Sequence, residues 1–266
     1  MLELFQFDFM VRALGAGLMV AFLAPVIGMF LVVRRYSLMA DTLAHVALAG
    51  IAMGIILQVY TIAAAVALSV GAAVLIEILR VRWKIFGESL LAIFLSGSLA
   101  IAAVLLSVTK GFQIGLFGLL FGSIATVSQT DVYVILGFGT LVLGTIFLLY
   151  KEFLFVSLDQ EFAQVSGRKA RILNIVLMAL TAMAVALSIR IVGVLLVGAL
   201  TVIPVIAAMQ LGRSFLQTMG LAVLFSLLSV ISGIFLSYSY DLATGGTIVV
   251  VALAIFILSL LVKGKR

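Results

Sequence analysis

The sequence predicts an all-α polytopic membrane protein, a class indicated by its composition and by the spacing of its polar breaks. Of its 266 residues, 65% are hydrophobic and only 10% are charged, and the mean hydropathy is +1.42. A soluble domain of this length is far more polar. No polar run is long enough for a separate soluble domain, so we expect residues 1–266 to form one transmembrane domain.

The apolar segments are long enough to be counted as membrane spans. A helix needs about 20 apolar residues to cross the bilayer. We expect about nine spans, and eight if the two segments that flank Arg190 are one. The predicted spans cover residues 12–33, 38–57, 61–79, 90–108, 131–150, 172–189, 191–210, 215–236 and 246–262.

Basic residues predict the orientation of these spans, because cytoplasmic loops are enriched in Lys and Arg. Of the 16 basic residues, only Arg12, Lys110 and Arg190 fall outside one set of alternate loops. The N-terminus is therefore expected outside and the C-terminus in the cytoplasm. This distribution also explains the net charge of +6 without nucleic acid as a partner.

Two metal-binding residue types lie inside the second predicted span. Asp41 and His45, the only histidine, are four positions apart, so a helix places both side chains on one face. An ionisable residue at membrane depth indicates a functional site. Imidazole and carboxylate suit zinc or a similar divalent ion, and without cysteine any metal is held by oxygen and nitrogen. The alternative is an Asp–His hydrogen bond that only fixes helix packing.

Two connecting segments have unusual compositions. Residues 109–130 are apolar and rich in glycine, which predicts a short re-entrant or interfacial helix that acts as a gate or as a packed outer plug. Residues 157–167 predict a short helix capped by Ser157 or Asp159, with Gly167 after its end. Its apolar face, formed by Leu158, Phe162 and Val165, would dock on a partner protein or lie on the membrane surface.

Four stretches together resemble the membrane permease of bacterial ABC importers for zinc or manganese, over nearly the whole chain. The first is residues 34–50, a basic loop followed by the Asp41–His45 pair and Gly50. The second runs from Arg190 to Val197 and on to Pro204. The third is residues 159–163 with Gly167, and the fourth is residues 241–247. The sequence of residues 41–46 most resembles that of the zinc branch of this family in Gram-positive bacteria.

The resemblance implies a vitamin-B12-importer-like (type II) ABC permease fold that works as a homodimer, with the pathway between the two copies. It implies two cytoplasmic ATP-binding subunits and an extracellular metal-binding lipoprotein or periplasmic binding protein. Zn²⁺, or Mn²⁺, would be the transported substrate, with no permanently bound cofactor. The coupling helix near residues 158–167 would contact the ATPase through Asp159, Glu161, Phe162, Ala163 and Gly167. The chain has no nucleotide-binding P-loop motif, so we expect ATP hydrolysis on a separate chain.

The outer mouth of the pathway is the remaining candidate site. Arg190 is expected near the outer end of its span, where Asp241 or Asp131 could pair with it. There it would shape the mouth or repel cations, or it would simply be an interfacial arginine that extends toward water.

Three other functions fit the sequence less well. A proton-coupled secondary transporter would use Asp41 and His45 as a proton relay and would need no docking surface. A membrane metalloenzyme would need a third protein ligand and a general base. A passive channel would show repeated polar or charged rings, which the sequence lacks.

Overall fold

The protein is described here by a computed structural model that covers residues 8–108, 113–123, 127–159, 162, 163, 166, 169–212 and 214–263. Every regular element among these residues is helical. In chain order the helices are α1 (Asp8–Val33), α2 (Leu38–Ile56), α3 (Thr61–Trp83), α4 (Gly87–Val108), α5 (Gln113–Phe121), α6 (Gln129–Leu148), α7 (Tyr150–Leu158), α8 (Ala170–Val192), α9 (Val197–Met209), α10 (Phe215–Tyr240) and α11 (Thr244–Lys263).

Eight of the described helices are long and apolar enough to cross a membrane, namely α1, α2, α3, α4, α6, α8, α10 and α11. The predicted all-α polytopic class is therefore confirmed. Helices satisfy all their backbone hydrogen bonds internally, which is why an apolar chain adopts them in lipid. The predicted span at residues 191–210 corresponds to α9, which is apolar but has only 13 residues and extends about 20 Å.

The break between α8 and α9 differs from the sequence prediction. The predicted spans 172–189 and 191–210 placed it at Arg190, but α8 continues through Arg190 to Val192, and the chain leaves the helix at Gly193. Gly193 has a φ of 87°, a left-handed value that favours glycine. A Cβ atom added there would lie 2.4 Å from the carbonyl oxygen of Leu120, so only glycine fits. The backbone of a distant segment thus decides where α8 ends.

Helices α1, α2 and α8 form the centre of the molecule. In their most apolar windows, 72%, 72% and 67% of the residues are buried, against 17% in α4. Glycines bring α2 against α3, because added Cβ atoms at Gly50 and Gly54 would approach the backbones of Ala65 and Thr61 to 2.7 and 3.1 Å. This glycine pair therefore allows close contact between the two helices.

Helix α5 confirms the short helix predicted within residues 109–130. The carbonyl oxygens of Leu119 and Leu120, near its end, accept hydrogen bonds from the backbone of Val194 (2.9 Å) and Leu195 (3.2 Å). These bonds fasten α5 to the link between α8 and α9, as expected of a plug packed on neighbouring helices.

Helix α7 follows α6 almost directly and includes Ser157, one of the two residues predicted to cap the short helix at residues 157–167. Ser157 lies inside α7 and is buried, so its predicted role as a cap is wrong. Asp159 is a cap as predicted, since its Oδ1 accepts a hydrogen bond of 2.9 Å from the backbone of Phe162. The rest of the predicted capped helix, with Glu161, Val165 and Gly167, lies outside the described residues.

Candidate metal site

A pocket of about 340 Å³ opens beside the first two turns of α2. Asp41 and His45 both line it, so the predicted placement on one helix face is confirmed. His45 lies about 10 Å along α2 from Leu38. The other lining residues come from α2, from α4 and from the link before α9: Leu38, Thr42, Leu91, Ala92, Leu95 and Leu195.

The first turn of α9 approaches the Asp41 side chain very closely. A Cβ atom added at Gly198 would lie 1.8 Å from Asp41 Oδ1 and 2.5 Å from Asp41 Cγ. Only glycine at this position leaves room for the carboxylate. Gly198 therefore fixes where the carboxylate sits without contributing a side chain of its own.

The imidazole of His45 has an unused nitrogen. Its Nδ1 atom is buried and has no hydrogen-bond partner among the described residues. A buried polar atom without a partner is costly, and in native proteins it calls for a functional explanation. The described contacts also include no hydrogen bond from Asp41 to His45, which the packing-pair alternative requires. The described contacts therefore do not support the packing-pair alternative, and His45 Nδ1 is left available to a ligand.

Within the described part of the chain, Asp41 and His45 are the only two metal-binding side chains that line this pocket. The described residues contain no group of three or more His, Cys, Asp or Glu side chains placed to hold a metal ion. Two ligands leave at least two positions of a tetrahedral ion open. Water or a second copy of the chain would have to fill them.

Arg190 pairs with Asp131, one of the two partners considered from the sequence. Its Nε lies 3.9 Å from Asp131 Oδ2, and its Nη2 donates a hydrogen bond of 3.1 Å to Thr61 Oγ1. Asp131 also accepts a hydrogen bond of 2.7 Å from the Tyr60 hydroxyl and forms a capping box with Ser128 at the start of α6. This cluster joins the ends of α3, α6 and α8.

Asp241, the other candidate partner, is exposed and occupies the left-handed cap position after α10, with a φ of 52°. The structure therefore does not bring Asp241 to Arg190. The two residues do not form the outer-mouth pair that the sequence left open.

Part of the predicted coupling segment lies among the described residues. Leu158 and Phe162 are 67% and 57% exposed, whereas Ala163 is buried with Val156 and Ala170. The ring of Phe162 lies 5.6 Å from that of Phe155, which holds it beside α7. Ala163 is therefore a packing residue here, and Leu158 and Phe162 are the surface that a partner can reach.

Several residues at these sites were missed by reasoning from the sequence. Gly198, Leu195 and Leu91 build the pocket around Asp41, and Thr61 and Tyr60 complete the Arg190 cluster. Gly198 and Leu195 fall in the segment that carries the second resemblance, which was the one available signal. Their residue types are too common in membrane helices to indicate a site.

Eight helices that are long and apolar enough to cross a membrane define a multi-pass membrane protein. Residues 6–263 match the model of the ABC 3 transport family, and the chain belongs to this family. Its members are permease subunits of ABC transporters, the non-catalytic membrane component. The chain is accordingly a multi-pass protein of the bacterial plasma membrane.

The relatives cover almost the whole chain. A probable metal transport system membrane protein of Treponema pallidum is 36% identical, covering 95% of both chains. The high-affinity zinc uptake system membrane protein ZnuB of Haemophilus influenzae is 32% identical, over 96% of this chain and 98% of its own. The manganese transport system membrane protein MntC of Halalkalibacterium halodurans is 30% identical, over 99% and 90%.

A solved structure confirms the predicted ABC permease fold. PsaBC from Streptococcus pneumoniae, in complex with a Fab, superposes with a TM-score of 0.87 at 29% identity. The match covers 96% of this chain and 92% of that one. The similarity therefore extends over all the helices that carry the pocket.

Proposed function

We propose that this chain is the permease subunit of an ATP-driven importer of a divalent metal ion, and that the ion is zinc. Asp41 and His45 are proposed to bind the ion in transit. The observation that carries the proposal is the unpartnered Nδ1 of His45, in a pocket shared with the Asp41 carboxylate. A transport site must bind its ion weakly enough to release it. Two protein ligands per chain meet that requirement.

A second copy of the chain would complete the coordination. Two copies related by a two-fold axis would supply two imidazoles and two carboxylates, a set that suits a tetrahedral ion. Helix α4, which lines the pocket, is the least buried of the eight long helices, and its exposed residues Ile93, Ile101 and Val104 are apolar. A homodimer with the pathway between its copies would cover this face.

Zinc is the proposed substrate because residues 41–46 resemble the zinc branch of the family. Manganese is the alternative, since imidazole and carboxylate accept both ions and relatives named for each metal match this chain at similar identity. No resident cofactor is part of the proposal.

The metal content of cells distinguishes the two ions. A strain from which the permease gene has been deleted is complemented with this chain, and its zinc and manganese are measured by elemental analysis. We expect complementation to restore zinc and leave manganese unchanged. Restored manganese with unchanged zinc would reassign the substrate, and no change in either metal would contradict the proposed function.

The energy source and the delivery of the ion require partners. The exposed Leu158 and Phe162, beside the turn capped by Asp159, are proposed as the contact for two cytoplasmic ATP-binding subunits. Glu161 and Gly167 belong to the same proposed coupling segment. A solute-binding lipoprotein or periplasmic protein is proposed to deliver the ion at the opposite face.

Replacement of Phe162 with aspartate is expected to release the ATPase subunits from the purified permease. The change puts a charge where an exposed apolar ring would otherwise be buried against the partner, and such a desolvated charge costs several kcal/mol, of order 3–5. Co-purification measures the effect. Ser166→Asp, a change at another exposed position of the same segment, is the control for charge alone. Retention of the subunits by Phe162→Asp would place the contact elsewhere.

The basic ends of the helices are proposed to face the cytoplasm, with the N-terminus outside and the C-terminus inside. The exposed residue Val59 lies just before α3 begins and the exposed residue Arg82 lies in its last turn, so the two report the two sides. Because the chain has no cysteine, a single introduced cysteine can be labelled without background.

Labelling of Val59→Cys and Arg82→Cys in spheroplasts checks this orientation. A membrane-impermeant maleimide is expected to label Val59→Cys in intact spheroplasts, and to label Arg82→Cys only after lysis. Total labelling after lysis serves as the control for reactivity. The opposite pattern would invert the topology.

A further inference from the structure

A second pocket, of about 300 Å³, lies at the basic ends of the helices and is lined by three arginines. We call it the arginine pocket and define it by Val33, Arg34, Arg35, Tyr36, Arg80, Val156 and Ser157. The link between α1 and α2, the last turns of α3 and the last turn of α7 build its walls. None of these residues takes part in the candidate metal site.

The pocket carries more positive than negative charge. Glu77 is buried, and both of its carboxylate oxygens accept hydrogen bonds from Arg80, at 2.7 and 3.0 Å. Arg80 also donates to the Tyr36 hydroxyl. Arg34 donates to the neutral side-chain oxygen of Asn174 at 2.5 Å. Arg34 and Arg35 thus have no carboxylate partner among the described contacts of the pocket.

Buried donors in and beside this pocket are left without acceptors. Arg34 Nη1 and Ser157 Oγ have no hydrogen-bond partner among the described residues, and neither does the Nδ2 atom of the adjoining Asn174. Ser157 is only 8% exposed, so water does not freely replace the missing acceptor. A buried charge is stable only when it is paired and hydrogen-bonded.

The environment of Arg34 shows the same imbalance. Burial, followed by the positive charge of Arg80, lowers the pKa of Arg34, and the negative charge of Glu77 offsets this only in part. Arginine nevertheless remains protonated in proteins, so the charge persists in the pocket. An anion between Arg34, Arg35 and Ser157 would pair with the buried charge of Arg34 and so offset the cost of burying it.

We propose that the arginine pocket binds the phosphate of an anionic phospholipid of the cytoplasmic leaflet. Arginine is the preferred partner of phosphate, because its donors match the phosphate oxygens, and serine adds a neutral donor. Basic pockets between membrane helices on the cytoplasmic side hold such headgroups. The proposal rests on the orientation given under the proposed function.

The position of the pocket favours a lipid over a soluble anion. Trp83, 69% exposed, lies one turn beyond Arg80 on α3, and Phe86, 83% exposed, follows in the link to α4. Exposed aromatic side chains at the end of a spanning helix mark the level of the lipid headgroups. Arg80 therefore lies about one turn, about 5 Å, inside that level.

Native mass spectrometry of the purified full-length chain tests the proposal. Phosphatidylglycerol and phosphatidylcholine with the same acyl chains are compared as probes. We expect phosphatidylglycerol to be retained more tightly, and Arg35→Gln to weaken its retention by about tenfold, the loss of one charge-assisted hydrogen bond. Ser157→Ala should weaken it several-fold.

Both variants leave the Glu77–Arg80 and Arg34–Asn174 contacts in place. Arg82→Gln, an exposed arginine outside the pocket, is the matched control.

Four results would overturn the proposal. The first is equal retention of the two lipids, and the second is an equal loss in Arg35→Gln and Arg82→Gln. The third is that inorganic phosphate raises the Tm of the protein as much as phosphatidylglycerol does, and that Arg35→Gln abolishes this rise. That result would assign the pocket to free phosphate. The fourth is loss of the ATPase subunits from Arg35→Gln with unchanged lipid retention, which would assign it to an acidic side chain of that partner. None of these readouts uses metal uptake, so failure here and failure of the proposed function are distinguishable.

Discussion

Replacement of His45 with alanine is expected to reduce metal uptake to the level of a strain without the permease. The change removes one of the two protein ligands that each copy offers, and even the loss of a residue that only supports a ligand costs 10–100-fold, so the fall should be about 100-fold or more. Uptake of labelled zinc into complemented cells, normalised to the amount of permease in the membrane, measures this effect.

The His45→Ala protein should still assemble, because His45 Nδ1 has no hydrogen bond to lose among the described contacts. Thr42→Val is the matched control, since Thr42 lines the same pocket but its hydroxyl donates to backbone carbonyl oxygens, that of Leu38 at 3.0 Å and that of Leu91 in α4 at 3.4 Å. We expect near-normal uptake from this control. Normal uptake by His45→Ala would reduce the Asp41–His45 pair to a packing feature.

Replacement of Gly198 with alanine is expected to disable uptake without removing any ligand. The new methyl group would occupy the space of the Asp41 carboxylate, 1.8 Å from Oδ1, so the carboxylate or α9 must move. Overpacking of this kind costs about 1–3 kcal/mol of stability. A displaced ligand should lower uptake by about 10–100-fold, by analogy with the loss of a residue that orients a ligand. The same zinc uptake assay measures the fall, and thermal unfolding of the purified protein measures the stability.

Gly137→Ala in α6 is the matched control for this change. A Cβ atom added at Gly137 meets nothing within 4 Å, and alanine in a helix stabilises by about 0.4–1 kcal/mol relative to glycine. The control should therefore transport normally and unfold at an equal or higher temperature. If Gly198→Ala also transported normally, the position of Asp41 would not matter for transport.

The sequence alone could predict the helices and the Asp41–His45 pair because both follow from local rules. Lipid offers no hydrogen bonds to the backbone, so each long apolar segment must become a helix. The helical repeat then places residues four positions apart on one face, whatever surrounds them. The predicted cap at Asp159 is equally local, since it joins Asp159 to Phe162.

The tertiary structure decided the features that depend on residues far apart in the chain. The end of α8 is set by the backbone of Leu120 against Gly193, and the position of the Asp41 carboxylate is set by Gly198, more than 150 residues away. Arg190 likewise pairs with Asp131 and not with Asp241 because of the way in which α6 and α8 pack. The sequence determined which residues are apolar, helical or able to bind a metal. Their partners were decided by packing, because the steric limits between two backbones appear only when the helices are brought together.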